Sequence, residues 1–204
     1  PKGGYSVKVG GAATAPEQAF NIISGVSSSS DRGAPGTSLV VVGGGFSANE
    51  RGISVIFDRT TVATGLSANA EGSFTATFPI PPLAAGNYLI SAGGTLSSSA
   101  GVQGDSFSIG AGITANPPKG GPGATISIQG GGFDANERNI NITYDGTPVV
   151  SGITADPTGA FAASFALPPS TSGSHSIKAS GSVTTAAAAE LAYQVTPTIN
   201  FNRT

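Results

Sequence analysis

Apolar residues in this chain recur at every second position in short runs, the spacing of strands that bury one face and expose the other. Leu39 and Val41 alternate with Val40 and Val42. Ile53, Val55 and Phe57 form the next run, then Phe74, Ala76 and Phe78, then Tyr88, Ile90 and Ala92, then Phe107 and Ile109. A second series follows: Ile126 and Ile128 between Ser127 and Gln129, then Ile140-Ile142-Tyr144, Phe161-Ala163-Phe165, His175-Ile177-Ala179 and Tyr193-Val195. Turn chemistry separates the runs. Asp145-Gly146 is a hairpin pair for which positive φ costs little. Pro81-Pro82 and Pro168-Pro169 cannot donate to a ladder, so each must end a strand. Only Thr185–Leu191 has spacing loose enough for a helical turn.

The two series are copies of one unit. Residues 35–95 align without a gap to 122–182, with 26 identities in 61 positions. The longest shared block pairs Gly43-Gly44-Gly45-Phe46 and Ala48-Asn49-Glu50-Arg51 with Gly130-Gly131-Gly132-Phe133 and Ala135-Asn136-Glu137-Arg138. The ends carry fragments of the same unit. Gly3–Gly11 matches Gly86–Gly94, Phe20 and Ile22 match Phe107 and Ile109, and Thr198–Phe201 sits where Gly112–Ala115 opens the second copy. The expected organisation is therefore residues 1–24 as the last two strands of an upstream repeat, repeats over 25–111 and 112–197, and 198–204 as the first strand of a further repeat or a donated strand. Pro1 is not a natural initiator, so the chain is expected to be mature, trimmed or part of a longer array.

About seven short strands per repeat predict an all-β fold of tandem antiparallel β-sandwiches, the simplest way to bury one face of each strand. An opening strand, Pro-Gly, a short β run, Gly-x-Gly-Phe, an apolar strand, Asp-Gly-Thr-x-Val, Gly-x-Phe and a closing aromatic strand together resemble the IPT/TIG-like immunoglobulin repeats of microbial cell-surface and extracellular proteins. The resemblance covers nearly the whole chain twice over. Its motifs are structural, so it implies a fold and, for function, only a stalk, adhesin segment or filament building block.

Composition narrows the choice. Charged residues are 10% of the chain and the net charge is -2, too little positive charge to bind phosphates, so no nucleic-acid partner is expected. No apolar run approaches the roughly 20 residues of a spanning helix, so no direct membrane insertion is expected. The absence of Cys removes disulfides, thiolate metal sites and a Cys nucleophile. A surface of Ser, Thr, Ala and Gly with few Lys and Glu points to an extracellular or cell-surface location.

No catalytic, cofactor or metal site is expected. His175 is the single histidine, and its counterparts Tyr5 and Tyr88 mark an aromatic packing position at a strand start. The triglycines lack the following helix that a phosphate loop requires and are expected to form bends. Asp134, Asp145 and Asp156 show no calcium-type cluster and are expected in solvated turns, with Glu50-Arg51 and Glu137-Arg138 as turn and surface ion-pair residues. Asn141-Ile142-Thr143 and Asn202-Arg203-Thr204 are sequons, making Asn141 and Asn202 candidate glycosylation sites.

Two further groups bear on assembly. Alternation places Val40, Val42, Ile56 and Leu89 outside the core, where the second copy has Ser127, Gln129, Thr143 and Ser176. An apolar contact surface is expected there. Tyr5, Val7, Val9, Phe20 and Ile22, with Ile199 and Phe201 at the other end, are inward residues without a sandwich of their own, since two strands alone are marginal in water. They are expected to be completed either by a continuing polypeptide or by strands of neighbouring subunits. The expected function is a non-enzymatic extracellular filament, stalk or adhesive array. Its partners would be copies of itself, surface glycans or other cell-surface proteins. The alternative is a carbohydrate-binding or spacer module of a secreted polysaccharide-active protein, weakened by the lack of Trp.

Overall fold

The computed structural model describes residues 1–8, 17–184 and 189–197. Its described strands, in chain order, are β1 (Gly3–Val7), β2 (Gln18–Ile22), β3 (Gly25–Ser28), β4 (Arg32–Gly33), β5 (Ser38–Gly44), β6 (Ile53–Phe57), β7 (Thr60–Leu66), β8 (Phe74–Pro79) and β9 (Gly86–Gly93). They continue as β10 (Asp105–Ile109), β11 (Gly112–Asn116), β12 (Lys119–Gly120), β13 (Thr125–Gly131), β14 (Ile140–Tyr144), β15 (Thr147–Ile153), β16 (Phe161–Ala166), β17 (Gly173–Ser180) and β18 (Ala189–Val195). One short 3-10 turn covers Ser99–Gly101. Where a loose helical turn is expected over Thr185–Leu191, Ala189–Leu191 instead open β18; residues 185–188 lie outside the described residues. Alternating Leu191 and Tyr193 serve a strand as well as a turn, and pairing with β17 decides for the strand.

Each repeat is a sandwich of two sheets. In the first, β3-β5-β8 faces β4-β10-β9-β6-β7; in the second, β11-β13-β16 faces β12-β18-β17-β14-β15. The chain is all-β, with the immunoglobulin-like arrangement of a three-stranded and a five-stranded sheet. Pairing is mainly antiparallel, with short parallel contacts of Lys119-Gly120 with Gln194-Val195 and of Gly25 with Gln103. Alternation resolves into core and surface as the pleat dictates: Ile126, Ile128, Ile140, Ile142 and Ile177 are fully buried, while Ser127 and Gln129 between them are exposed. Even the irregularities repeat. The β6–β7 and β14–β15 hairpins each slip register after the first pair, Ile53–Leu66 and Ile140–Ile153.

The contacts divide the chain into two compact units. The first comprises Pro1–Gly33, Thr37–Pro81 and Asn87–Ser108; the second comprises Ala34–Gly36, Pro82–Gly86 and the chain from Ile109 on. Each triglycine closes a strand, Gly43-Gly44 ending β5 and Gly130-Gly131 ending β13. A Cβ on Gly43 would stand 2.0 Å from the Phe74 ring, and one on Gly130 2.1 Å from Phe161. Those rings cross the strand to meet Phe46 and Phe133 edge-on at 5.1 Å, the favourable aromatic geometry. Gly45 and Gly132 both take φ of 71°, and a Cβ there would run into the carbonyl of Ile23 or Gly110. The bend is thus required by backbone approach as well as by φ.

β1 and β2 pair only with each other, Tyr5 opposite Phe20, with the rings stacked at 5.9 Å. Tyr5, Val7, Phe20 and Ile22 remain 37–54% exposed, whereas Ile90, Phe107 and Ile109, the counterparts of the last three, are at 0–2%. Val9, Ile199 and Phe201 lie outside the described residues.

One core position differs in chemistry between the copies. Tyr193 is fully buried and its hydroxyl has no hydrogen-bond partner among the described residues; the first repeat has Phe107 there, equally buried. A buried hydroxyl without a partner costs on the order of 1 kcal/mol or more. Tyr193→Phe is expected to raise the second sandwich's stability by about 1 kcal/mol, read as a higher urea midpoint at unchanged slope. A lower midpoint would show that the hydroxyl has found a partner.

Candidate functional site

Each sandwich holds a buried carboxylate, accepting four hydrogen bonds, that local sequence reading places on the surface. Glu50 and Glu137 are 2% and 4% exposed, and neither forms an ion pair with the arginine beside it among the described residues. The expectation of surface ion-pair residues is therefore corrected. Glu50 Oε1 accepts the backbone N–H groups of Leu96 and Ser97 at 2.8 and 2.7 Å, and Oε2 accepts Ser47 N–H at 3.1 Å and the Ser97 hydroxyl at 2.8 Å. Glu137 repeats this with Val183, Thr184 and Asp134 N–H and the Thr184 hydroxyl. Backbone amides replace the arginine because the loop after β9 or β17 closes over the carboxylate. Gly94 and Gly181 permit that closure, since a Cβ on either would strike it.

Burial alone would raise both carboxyl pKa values, but the converging donors outweigh it and hold Glu50 and Glu137 below their ordinary 4.5. A lowered folded-state pKa stabilises the fold above the unfolded value, and the contribution disappears as pH falls through the folded one. Both sandwiches are thus expected to lose stability in acid below about 4.5. Glu137→Ala is expected to cost on the order of 3 kcal/mol and flatten this acid limb for the second sandwich, measurable by denaturant titration across the acid range.

His175 forms the second polar feature. It opens β17 as an aromatic packing residue, its ring stacked on Tyr144 at 5.3 Å and 15°. Its side chain is only 14% exposed. Nδ1 lies 2.6 Å from Asp145 Oδ2 and Nε2 lies 2.9 Å from the Thr171 carbonyl. Both partners are acceptors, so only the imidazolium, with two N–H donors, satisfies both. Neither nitrogen is left to activate a hydroxyl, so this pair is not a nucleophile relay of the usual kind. Asp145 also accepts Ser176 N–H, and Tyr144 Oη donates to Ser170 Oγ.

The Asp145 hydrogen bond first, then that to Thr171, raises the His175 pKa above 6.5, and the His175 bond lowers Asp145 below 3.8. The two linkages have opposite signs. His175 contributes fully below 6.5 and loses its contribution as pH rises through its raised folded value; Asp145 contributes above 3.8 and loses its part in acid. The second sandwich is therefore expected to melt at progressively lower temperature as pH rises through and above the ordinary histidine range. His175→Tyr, the first repeat's residue, should remove that slope. Thermal scans over pH on both proteins measure it.

The remaining sequence expectations are placed as follows. Val40 and Val42 lie on the outer face of β3-β5-β8, whereas Ile56 and Leu89 lie on the outer face of β4-β10-β9-β6-β7. They form two patches on opposite sides of the sandwich, because alternation assigns a residue to a face of its strand and not to a sheet. Val42 and Leu89 are the most open, at 48% and 56%; Val40 and Ile56 are half-buried. Asn141 is half-buried on β14, donating to Asn139 O and accepting from Gly152 N–H; Asn202 lies outside the described residues. No cluster of metal-ligating side chains occurs among the described residues, and no described helix is long and apolar enough to cross a membrane.

The family model described as IPT/TIG domain matches residues 113–195. No curated protein matches the chain by sequence. Among solved structures, the chain is similar to the adhesin InvE of Yersinia pseudotuberculosis, at 12% identity and TM-score 0.40, covering 84% of this chain and 58% of that one. It is also similar to SGBP-B of the Bacteroides ovatus mixed-linkage glucan utilization locus, solved with a mixed-linkage heptasaccharide, at 13% identity and TM-score 0.36, covering 95% and 52%. The chain spans a little over half the length of either. Both TM-scores are low, and the fold assignment rests on the family match and the strand topology.

Proposed function

We propose that this chain, whose second repeat belongs to the IPT/TIG domain family, is a non-enzymatic length of an extracellular, cell-surface array, serving as stalk, filament or adhesive segment. The observation that carries this reading is a junction that occurs twice. In the first unit Lys2 N–H donates to the Phe46 carbonyl at 3.3 Å, and Ile23 O packs where a Gly45 Cβ would stand. In the second unit Ala85 N–H donates to the Phe133 carbonyl at 2.9 Å, and Gly110 O packs against Gly132 in the same way. Each sandwich thus receives the segment that precedes it through the same backbone groups. Such a junction propagates a one-dimensional array whatever the surface residues are.

Tyr5, Val7, Phe20 and Ile22 fit this reading as the closing strands of a preceding sandwich, completed by its remaining strands in a continuing polypeptide. Val42 and Leu89 supply apolar area for lateral contact with other copies, at roughly 25 cal/mol per Å² covered. Partners of this kind are copies of the same repeat, with surface glycans or other cell-surface proteins at the array's working face.

Negative-stain electron micrographs of the native material are expected to show rods or filaments with a regular repeat of one sandwich. Val42→Asp should loosen lateral bundling while leaving circular dichroism and melting unchanged. Compact single particles from native material would overturn the reading.

A further inference from the structure

The segment before the strand-opening glycine occurs three times in this chain: Pro1-Lys2 before Gly3, Ala84-Ala85 before Gly86, and Thr171-Ser172 before Gly173. The first two are engaged. Pro1 Cα and Ala84 Cα each lie 3.0 Å from where a Cβ on Gly72 or Gly159 would stand. Lys2 and Ala85 donate to the Phe46 and Phe133 carbonyls. Thr171 and Ser172 are exposed, and the Ser172 N–H donates to no group among the described residues.

This third segment is supported from its own sandwich, as the first is through Tyr5 Oη, which donates to the Pro1 carbonyl at 2.9 Å. The Thr171 carbonyl accepts His175 Nε2, Tyr144 Oη reaches Ser170 Oγ at 2.9 Å, and Ser170 Oγ reaches the Pro168 carbonyl at 2.9 Å. We propose that Thr171 and Ser172 form the seat for a further sandwich of this same repeat, and that the imidazolium of His175 holds the seat in shape. The proposal rests on the array reading above.

The occupant follows from which acceptors are taken. The Phe46 and Phe133 carbonyls already accept Lys2 and Ala85. The sandwich that fits Thr171-Ser172 is therefore an additional one, presenting its own Phe carbonyl beside a Gly-x-Phe turn. It belongs to the same polypeptide, joined after Val195 as Gly112 follows Ile109.

Loss of the His175 proton would leave Nδ1 or Nε2 facing an acceptor without a hydrogen between them, and the exposed Thr171 carbonyl is the partner more easily released. The charged and titratable groups around His175 are Asp145 and Tyr144 from β14 and its turn, Tyr193 directly opposite on β18, and Glu190 and Lys178. Glu190 is committed to Ser176 Oγ at 2.8 Å and to Lys178 at 3.3 Å, which leaves Asp145 as the anion that holds the imidazolium. The first repeat has Tyr88 in place of His175, so its seat has no such proton dependence.

The test continues the whole 204-residue chain with a second copy of residues 119–197, and compares amide protection factors of Ser172 and Ala85 by NMR in both chains, below and above the ordinary histidine range. In the parent chain Ser172 should exchange freely and Ala85 should be protected. In the extended chain Ser172 should gain protection of about tenfold or more, lose it as pH rises, and keep it at all pH values in His175→Tyr, while Ala85 stays protected throughout. An unprotected Ser172 beside a protected Ala85 in the extended chain overturns the seat and leaves the array reading intact. Ser172 protection indifferent to pH in the unsubstituted extended chain overturns the role of His175. Free exchange at both amides overturns the array reading itself.

Discussion

A carboxylate taken out of water must be met by donors, and in each sandwich of this protein the donors are backbone amides and one hydroxyl from loops far apart in sequence. Glu50 and Glu137 each tie the turn after one strand to the loop after another, across 46 and 47 positions of sequence. The Glu50 and Glu137 carbonyls also accept Ala68 and Ala155 N–H. Three loops at the end of each sandwich that receives the preceding segment are thereby held by one residue. With the loops held, the triglycine bend and the Gly-x-Phe turn beside them can present a fixed Phe carbonyl.

In a protein with so little charge, these contacts are made by backbone groups rather than by ion pairs. The hydrogen bonds to the Phe46 and Phe133 carbonyls and the close approaches at Gly45 and Gly132 need small residues but no specific side chains. Surface residues are then free to differ between copies. They do: the first sandwich carries Val42 and Leu89 where the second carries Gln129 and Ser176, the latter bonded into the Lys178–Glu190 pair. One frame thus carries two different surfaces, which is the economy of repeat proteins.

The copies also diverge in the core, and there each change has a local consequence. Phe107 becomes Tyr193, which brings a hydroxyl into the interior without a partner among the described residues. Tyr88 becomes His175, which brings a charge that Asp145 and the Thr171 carbonyl accommodate. The second sandwich therefore carries a titratable His175–Asp145 pair that the first lacks.

Period-two spacing, proline pairs and a self-match without gaps determine by themselves that the chain is all-β, that it repeats, and which side chains of the two repeats point inward, because each of these follows from the pleat and from local backbone chemistry. The triglycine reads as a bend, but only Gly45 and Gly132 turn the chain; Gly43-Gly44 and Gly130-Gly131 are the last residues of β5 and β13. What lay beyond the sequence depends on loops that meet only in three dimensions. Glu50 beside Arg51 reads as a surface pair until the loop at Gly94–Ser97 folds over it and offers backbone donors that no residue code announces. Val42 and Leu89 read as one apolar set until the topology sends their strands to different sheets. His175 reads as a packing aromatic until Asp145, thirty positions away, and the Thr171 carbonyl arrive on its two nitrogens. In each case the partner is a distant segment, or a backbone group common to every residue, and tertiary structure alone decides which one arrives.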